Sequence, residues 1–380
     1  MTHQPDLAVI GGGQLARMMQ PPAVGLGLRL RLLAEGPDVS AAQVIPDQVV
    51  GDHTSIDDLR TAVADAPVVT FDHEHVPPEH LRTLAAEGHA CRPGPEALLY
   101  AQDKGEMRVR LSLLGIPCPL FEVLGRDSDD LDDLVDDMHD FGYPAVVKTT
   151  RGGYDGKGVW VVRGPEDLAE PFASGRELLA EELVDFRREL SVLVARRPNG
   201  DTVTYPVVES RQKDGVCFEV IAPAPDLAPD LAAEARRIAT TIATEIDVTG
   251  VLAVELYETT DGRILVNELA MRPHTTGHWS IDGAFTSQFE NHVRAVLDLP
   301  LGPADPRQPW SVMVNVLGGS VTDLPAARDA ALEADPTVHV HLYGKPVKPG
   351  RKVGHVTATG DDLDDVLGRA RAAAALLTDG

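Results

Sequence analysis

An apolar strand, Ala145-Val146-Val147, delivers Lys148 and then breaks into a loop carrying Gly152, Gly153, Gly156 and Gly158; the apolar run Val159-Trp160-Val161-Val162 follows. Strand, glycine tip and strand predict a β-hairpin with a long tip. Glycine has no Cβ, so such a tip brings backbone N–H groups against an anion. Lys148 and Lys157 add positive charge at its two ends. The segment predicts a phosphate-bearing ligand, against the alternative of a surface hairpin without chemistry. It is not a P-loop, which requires G-x-x-x-x-G-K-[ST] followed by a helix. Here the glycine spacing differs, Gly158 stands where the hydroxyl residue belongs, and a strand follows.

The N-terminal block reads as strand, glycine turn, helix and strand: Leu7-Ala8-Val9-Ile10, Gly11-Gly12-Gly13-Gln14-Leu15-Ala16 and Leu28–Leu33, with Val68-Val69-Thr70-Phe71 a further buried strand. That order is α/β and doubly wound in character. The block closes near Gly94-Pro95, and a helix predicted at 96–114 leads to the boundary Gly115-Ile116-Pro117-Cys118-Pro119. Residues 119–190 hold an acidic helix and the glycine hairpin. Residues 191–300 read as antiparallel strands with helices at 227–246 and 283–298, and the chain ends in a helix at 361–377. Gly11-x-Gly13-x-x-Ala16, with Glu35 after the next strand, satisfies the dinucleotide fingerprint, in which pyrophosphate meets a helix N-terminus and an acid binds ribose. A nicotinamide-dependent dehydrogenase is therefore a runner-up reading, although it leaves the hairpin without a task.

With 34 Lys and Arg against 59 Asp and Glu, the chain carries a net charge of −25. That balance argues against nucleic acid or an anionic membrane as a partner, since both require basic surface. A local cationic cluster still suffices for a small anionic substrate. Part of the acid lies in Asp127–Asp140, where Leu131, Leu134, Val135 and Met138 recur at helical spacing, as in an amphipathic helix with a solvated acidic face. Cys91, Cys118 and Cys217 are odd in number and far apart. They form neither a disulfide framework nor a zinc spacing and suit a reducing cytoplasm. No signal peptide opens the chain and no apolar run approaches the ~20 residues that span a bilayer, so a cytoplasmic location is expected.

Val251-Leu252-Ala253-Val254-Glu255-Leu256-Tyr257 and Ile264-Leu265-Val266-Asn267-Glu268 are two apolar strands about a turn containing Asp261-Gly262. Antiparallel pairing places Glu255 opposite Asn267 or Glu268, depending on register. A carboxylate inside an apolar strand is costly without a compensating partner. Two carboxylates and an amide oxygen on one face are hard ligands suited to Mg2+ bridging phosphates; a solvent-facing hairpin is the alternative. Arg272 and His274 follow on a proline-restrained segment, as a two-point anion clamp and an acid–base or orienting group. A basic cluster, Lys345-Pro346-Val347-Lys348-Pro349-Gly350-Arg351-Lys352, suits the phosphate of a second substrate or is an ordinary charged turn.

Five segments, in order, resemble one family: Gly-Gly-Gly-Gln-Leu-Ala-Arg-Met-Met at 11–19, Phe-Asp-His-Glu-His-Val-Pro at 71–77, Arg-Gly-Gly-Tyr-Asp-Gly-Lys-Gly at 151–158, Asn-Glu-Leu-Ala-Met-Arg-Pro-His-Thr-Thr-Gly-His at 267–278 and Gly-Arg-Lys-Val-Gly-His at 350–355. The family is the N5-carboxyaminoimidazole ribonucleotide synthetases of the ATP-grasp superfamily. The resemblance implies an α/β and α+β, three-domain ATP-grasp fold: an N-terminal Rossmann-like (pre-ATP-grasp) domain at 1–117, a central lid at 118–190 and a C-terminal domain at 191–380. It implies carboxylation of 5-aminoimidazole ribonucleotide by bicarbonate in purine biosynthesis, with ATP and Mg2+ (or Mn2+) as cofactors and carboxyphosphate as the intermediate. It also implies a homodimer.

Carried over by motif, Lys104 and Lys148 contact ATP phosphates and the loop Gly153, Tyr154, Asp155, Gly156, Lys157 and Gly158 covers them. Glu181, Glu182, Leu183 and Val184 form the adenine hinge, and Glu189 binds ribose. Glu255 and Glu268, with Asn267, hold the metal. Glu74, Tyr154, Asp155, Lys157, Arg272, His274, Lys345, Arg351 and Lys352 form the ribonucleotide and bicarbonate site, with Asp155 at the reacting amine and Arg272 at the carboxyl. Lys104 stands where some relatives have arginine, and Gln212 where some have a nucleotide-contacting histidine. Met271 and Thr275-Thr276 replace the commoner Pro and Asn-Ser. Another ATP-grasp carboxylate ligase would share the ATP and metal residues and differ at 71–77, 272–278 and 345–355. A nucleotide-binding module without turnover would lack a metal ligand or lysine, and none is missing.

Overall fold

The computed structural model describes residues 4–124, 131–153 and 156–380. Near the N-terminus β1 (Leu7–Ile10), β2 (Leu30–Ala34), β3 (Gln48–Val50), β4 (Val68–Phe71) and β5 (Ala90–Cys91) form a parallel sheet in the order β3-β2-β1-β4-β5. β1 and β4 are buried throughout, as strands of a parallel sheet covered on both faces must be. The strand order reverses between β1 and β4, and a crevice opens beyond their carboxyl ends. Gly11–Gly13 and Asp72–His75 lie there.

The helix expected at 96–114 is two helices, Pro95–Gln102 and Lys104–Leu113. Asp103 between them is extended, and its carboxylate accepts from Glu106 N at 3.0 Å, capping the second. Tertiary contacts fix the break: Arg151 Nε lies 2.8 Å from the Asp103 carboxylate, and Lys104 N donates to Thr150 O at 2.9 Å. The chain thus presents Lys104 at a helix start, beside the base of the hairpin.

β6 (Phe121–Leu124), β7 (Ala145–Thr149), β8 (Val159–Val162) and β9 (Leu178–Glu182) form an antiparallel sheet ordered β6-β9-β7-β8. β7 and β8 are the predicted hairpin, with Lys148 opposite Val159. Gly152, Gly156 and Gly158 have φ of 75°, 76° and 70°, a region that favours glycine. The acidic helix runs Leu131–Phe141 and buries Leu134 and Met138 against this sheet; the start expected at Asp127 lies outside the described residues.

The remaining strands, β10 (Phe186–Arg196), β11 (Thr202–Thr204), β12 (Val208–Lys213), β13 (Val216–Ala222), β14 (Gly250–Thr259), β15 (Ile264–Ala270), β16 (Trp310–Leu317), β17 (His339–Leu342) and β18 (Lys352–Gly360), make one antiparallel sheet. The change of sheet falls between β9 and β10, at 183–185, a few residues before the expected 190. The helix expected at 227–246 is Pro229–Glu245. The one expected at 283–298 begins only at Gln288, because Ser287 caps it and Ser280–Gly283 is a separate short turn of helix. The final helix is Leu363–Thr378.

Candidate active site

The three sheets meet around a cleft of about 1170 Å³. Its walls carry Gln14 and Asp72–His75 from the N-terminal crevice, Gly152, Gly153 and Lys157 from the hairpin tip, Glu255 and Glu268 from β14 and β15, Arg272 and His274, and the segment Lys345–Lys352. Tyr154 and Asp155 lie outside the described residues.

One wall is built on an irregularity in the β14–β15 pairing. Glu255 is opposite Glu268 but Leu256 is opposite Val266, so Asn267 is the extra residue of a bulge. A bulge re-aims side chains locally. Arg108, fully buried, holds it in place: Nη1 donates to Val266 O at 3.1 Å and Nη2 to Asn267 O at 2.7 Å. Its Nε donates to Glu181 Oε1 at 2.7 Å, while Lys148 Nζ lies 2.6 Å from Glu181 Oε2 and 3.2 Å from Asn267 Oδ1. Lys104 Nζ bonds Glu268 Oε1 at 2.5 Å. Both lysines therefore already hold oxygen atoms of residues expected to bind the metal.

The charges follow from this packing. Burial would raise the Glu181 carboxyl, but Arg108 and Lys148 override it and bring it down to about 2. Burial also opposes ionisation of Glu268, and Lys104 outweighs it, so Glu268 is lowered. For Glu255, burial, then repulsion by Glu268 and Glu189, outweighs Lys352 and Arg272 and pushes it up to about 8. Glu189 is raised by burial against a hydrogen bond from Gln212, which also donates to Ser210 Oγ at 3.1 Å. The Glu181 carboxylate, expected at the adenine hinge, is fully engaged inside the protein, and Glu182 Oε1 accepts from Leu120 N at 3.2 Å. Leu183 is exposed and Val184 half-buried beside them.

On the facing wall Glu74 binds the Arg272 segment twice, accepting from Met271 N at 2.8 Å and Arg272 Nε at 2.9 Å. Burial opposes the Arg272 charge, and Glu74 and Asp72 more than restore it. His274 Nε2 lies 3.2 Å from Glu255 Oε1. Burial drives the His274 pKa well below its usual value, so the ring is neutral. At the rim Lys345 bonds Gln14 Oε1, Arg351 Nη1 reaches Pro346 O at 3.5 Å, and Lys352 opens β18.

The glycine turn after β1 is occupied by the protein's own acids. Gly12 N donates to Glu35 Oε2 at 3.0 Å, and Gly13 N and Ala16 N donate to Asp72 at 2.8 and 2.7 Å. These three N–H groups of the turn are therefore taken by carboxylates where the dinucleotide fingerprint would offer them to pyrophosphate. A nitrogen-rich cluster also forms among the described residues: ligand atoms of Glu35, His53 and His73 lie within 4.8 Å of one another. His73 Nδ1 accepts from His75 N at 3.2 Å, which places the ring proton on Nε2, the atom facing Glu35. The oxygen donors for a hard cation are those at the bulge.

Family models match the chain in three stretches: the ribonucleotide synthetase preATP-grasp domain at 5–102, the ATP-grasp domain at 109–289 and the phosphoribosylaminoimidazole carboxylase C-terminal domain at 311–369. The N5-carboxyaminoimidazole ribonucleotide synthase of Mycobacterium tuberculosis strain H37Rv is 50% identical, over 99% of this chain and 88% of its own length. The chain belongs to the N5-carboxyaminoimidazole ribonucleotide synthase family. The family's enzyme from Corynebacterium ammoniagenes is 48% identical over 98% of this chain and 92% of its own. The synthetase structure from Thermus thermophilus matches with a TM-score of 0.87 at 37% identity, covering 98% of this chain and 99% of that one. The Aspergillus clavatus enzyme, solved with ADP and 5-aminoimidazole ribonucleotide, matches with a TM-score of 0.90 at 30% identity over 99% of both chains.

Membership in this ATP-grasp ligase family overturns the dehydrogenase reading, and the filled glycine turn gives the physical reason. Gln14, Asp72 and Arg108 escaped the sequence reading. Arg108 had a signal, since it lies one helical turn from Lys104 and so shares its face. The partnership of Asp72 with the distant turn at 12–16 had none.

Proposed function

We propose that this chain carboxylates the exocyclic amine of 5-aminoimidazole ribonucleotide in purine biosynthesis, consuming ATP and bicarbonate and releasing ADP and phosphate. The observation that carries this is one cleft with a lysine-flanked carboxylate wall, a Glu74-oriented arginine opposite and a basic segment at its rim. Mg2+, or Mn2+ in its place, would be held by Glu255, Glu268 and Asn267. The donors fit: two half-buried carboxylates face each other across β14 and β15, a repulsion that a dication relieves. When bound, the ion neutralises phosphate charge. Lys104 and Lys148 would exchange carboxylate and amide partners for phosphate oxygens. Glu181–Val184, through the backbone, would hold adenine; Glu189 would hold the ribose, with Gln212 beside it.

Phosphoryl transfer to bicarbonate would give carboxyphosphate, a step that depends mainly on positioning and charge stabilisation. Arg272, held charged by Glu74, would grip the bicarbonate-derived carboxyl in two-point fashion. The tip at Gly153 and Gly156–Gly158, with Tyr154 and Asp155, would close over both ligands and exclude water. Lys157 would add charge there, and Asp155 would meet the amine. Lys345, Arg351 and Lys352 would take the ribonucleotide phosphate. We assign residues 1–117, 118–190 and 191–380 to the three domains, the change of sheet at 183–185 lying just inside the second. We place the chain in the cytoplasm, a reading that three unbridged cysteines support, and take its working form as a homodimer on the family resemblance alone; among the described residues no helix is long and apolar enough to cross a membrane.

The test is phosphate release from ATP and bicarbonate with 5-aminoimidazole ribonucleotide and with a panel of other amines. Acceptor-dependent ADP formation is expected only with the imidazole ribonucleotide, and equal rates with another amine overturn the substrate assignment. Glu268→Gln should abolish Mg2+-dependent turnover with an unchanged circular dichroism spectrum. Near-parental activity removes Glu268 from the metal site.

A further inference from the structure

The segment Arg272–His278 meets β10 through an ordered chain of hydrogen bonds. Thr276 N lies 3.4 Å from His274 Nδ1. A backbone N–H can only donate, so Nδ1 is an acceptor and the proton of the neutral ring sits on Nε2. That nitrogen is 3.2 Å from Glu255 Oε1. With Nδ1 accepting, the Thr276 hydroxyl, 2.9 Å away, must donate to it. The Thr276 oxygen then accepts from Ser191 Oγ at 2.8 Å. Ser191 and Thr276 are fully buried, and Ser191 stands directly opposite Glu255 in the β10–β14 register. Gln288 anchors the backbone of the same segment, accepting from His274 N at 2.8 Å and donating to His274 O at 2.7 Å.

From this geometry we propose that Thr276 is a positioning residue. Backed by Ser191, it fixes His274 as the Nε2–H tautomer, and His274 in turn holds one oxygen of Glu255 so that the other faces the cation. Ligand carboxylates oriented by an outer hydrogen bond bind metal more tightly, and losing such a partner typically costs 10–100-fold in affinity or activity. His274 then serves as a structural donor to the metal carboxylate. Its Nδ1 has no proton to give in the reaction. The proposal rests on the reading of Glu255 as a metal ligand.

Two measurements test it without turnover. In metal-free protein labelled with 15N-histidine, the His274 ring, assigned by its loss in His274→Asn, should carry its proton on Nε2; protonation on Nδ1 overturns the proposal. In Mn2+ titrations of the ADP complex followed by electron paramagnetic resonance, Thr276→Val should weaken Mn2+ about tenfold, and Thr276→Ser should stay within about twofold of the parent. Ser191→Ala combined with Thr276→Val leaves no orphaned hydroxyl and should weaken Mn2+ as the single variant does. Parental Mn2+ affinity in Thr276→Val, or in the double variant should the single one not fold, overturns the proposal. Glu255→Gln separates the two levels. If it leaves Mn2+ binding unchanged, the metal reading itself fails; if it abolishes binding while Thr276→Val has no effect, only the hydroxyl chain fails.

Discussion

Arg108 ties the helix Lys104–Leu113 to the central sheet through Glu181 and to the β15 bulge through two carbonyls. Removing one partner of a buried ion pair leaves an uncompensated charge, at a cost of about 3–5 kcal/mol. Arg108→Met should lose stability of that order in urea unfolding, and a loss below about 1 kcal/mol contradicts the role assigned to it. Glu255 gives a prediction of a different kind. Its pKa is raised to about 8, so below that pH the metal-free carboxyl carries a proton that a cation must displace. Mn2+ affinity in the ADP complex should rise with pH, by up to about tenfold per unit, and level off near pH 8. Affinity that is flat between pH 6.5 and 8 would show that Glu255 is already ionised.

At the scale of elements, the hairpin tip depends on glycines for two separable reasons. Gly152 and Gly158 both have positive φ, which costs a residue with a Cβ roughly 1–2 kcal/mol. A Cβ at Gly158 would also lie 2.8 Å from Thr149 Oγ1, the short side chain of a buried strand residue. At Gly152 the near atom is Arg176 Nη1, the far end of a flexible side chain at 2.9 Å. Gly158→Ala should therefore speed amide exchange in β7 and β8 and impair turnover more than Gly152→Ala; the opposite order would place the critical contact elsewhere. The hairpin was legible because its apolar strands and glycines are contiguous. The break at Asp103 was not, because it is held by Arg151 and Thr150, far away in sequence.

For the whole molecule, burial leaves several histidines neutral. His278 and His292 are lowered to about 3, and His274 and His355 well below the usual value. Between the unfolded value near 6.5 and the folded value, the unfolded chain binds more protons, so stability falls as pH drops. Each such group contributes a slope of up to ~1.4 kcal/mol per pH unit. Glu255, raised, works in the opposite sense between about 4.5 and 8, and Glu189 and Asp72, also raised by burial, do so above their own unfolded values, three carboxyls against four rings. Glu181, lowered to about 2, stabilises above about 4.5 and adds to the loss only below it. Urea midpoints should decline from pH 6.5 to 5, and His292→Gln should flatten the decline; a midpoint constant over that range contradicts neutral burial of these rings.

The sequence alone determined what depends on neighbours along the chain. The strands β1, β4, β7 and β8, the glycine tip, the apolar strands that carry Glu255 and Glu268, and the basic run at 345–352 all announce themselves through local periodicity, glycine and charge. Five ordered motifs were enough to point to the ATP-grasp fold and the family. Tertiary structure decided which groups face each other. Only the folded chain sets Glu268 rather than Asn267 opposite Glu255, puts Asp72 rather than a phosphate on the glycine turn, and joins Ser191, Thr276, His274 and Glu255 into one chain. A bulge shifts register by a single residue, and a hydrogen bond reads distance in ångströms, so neither leaves a mark in the order of residues along the sequence.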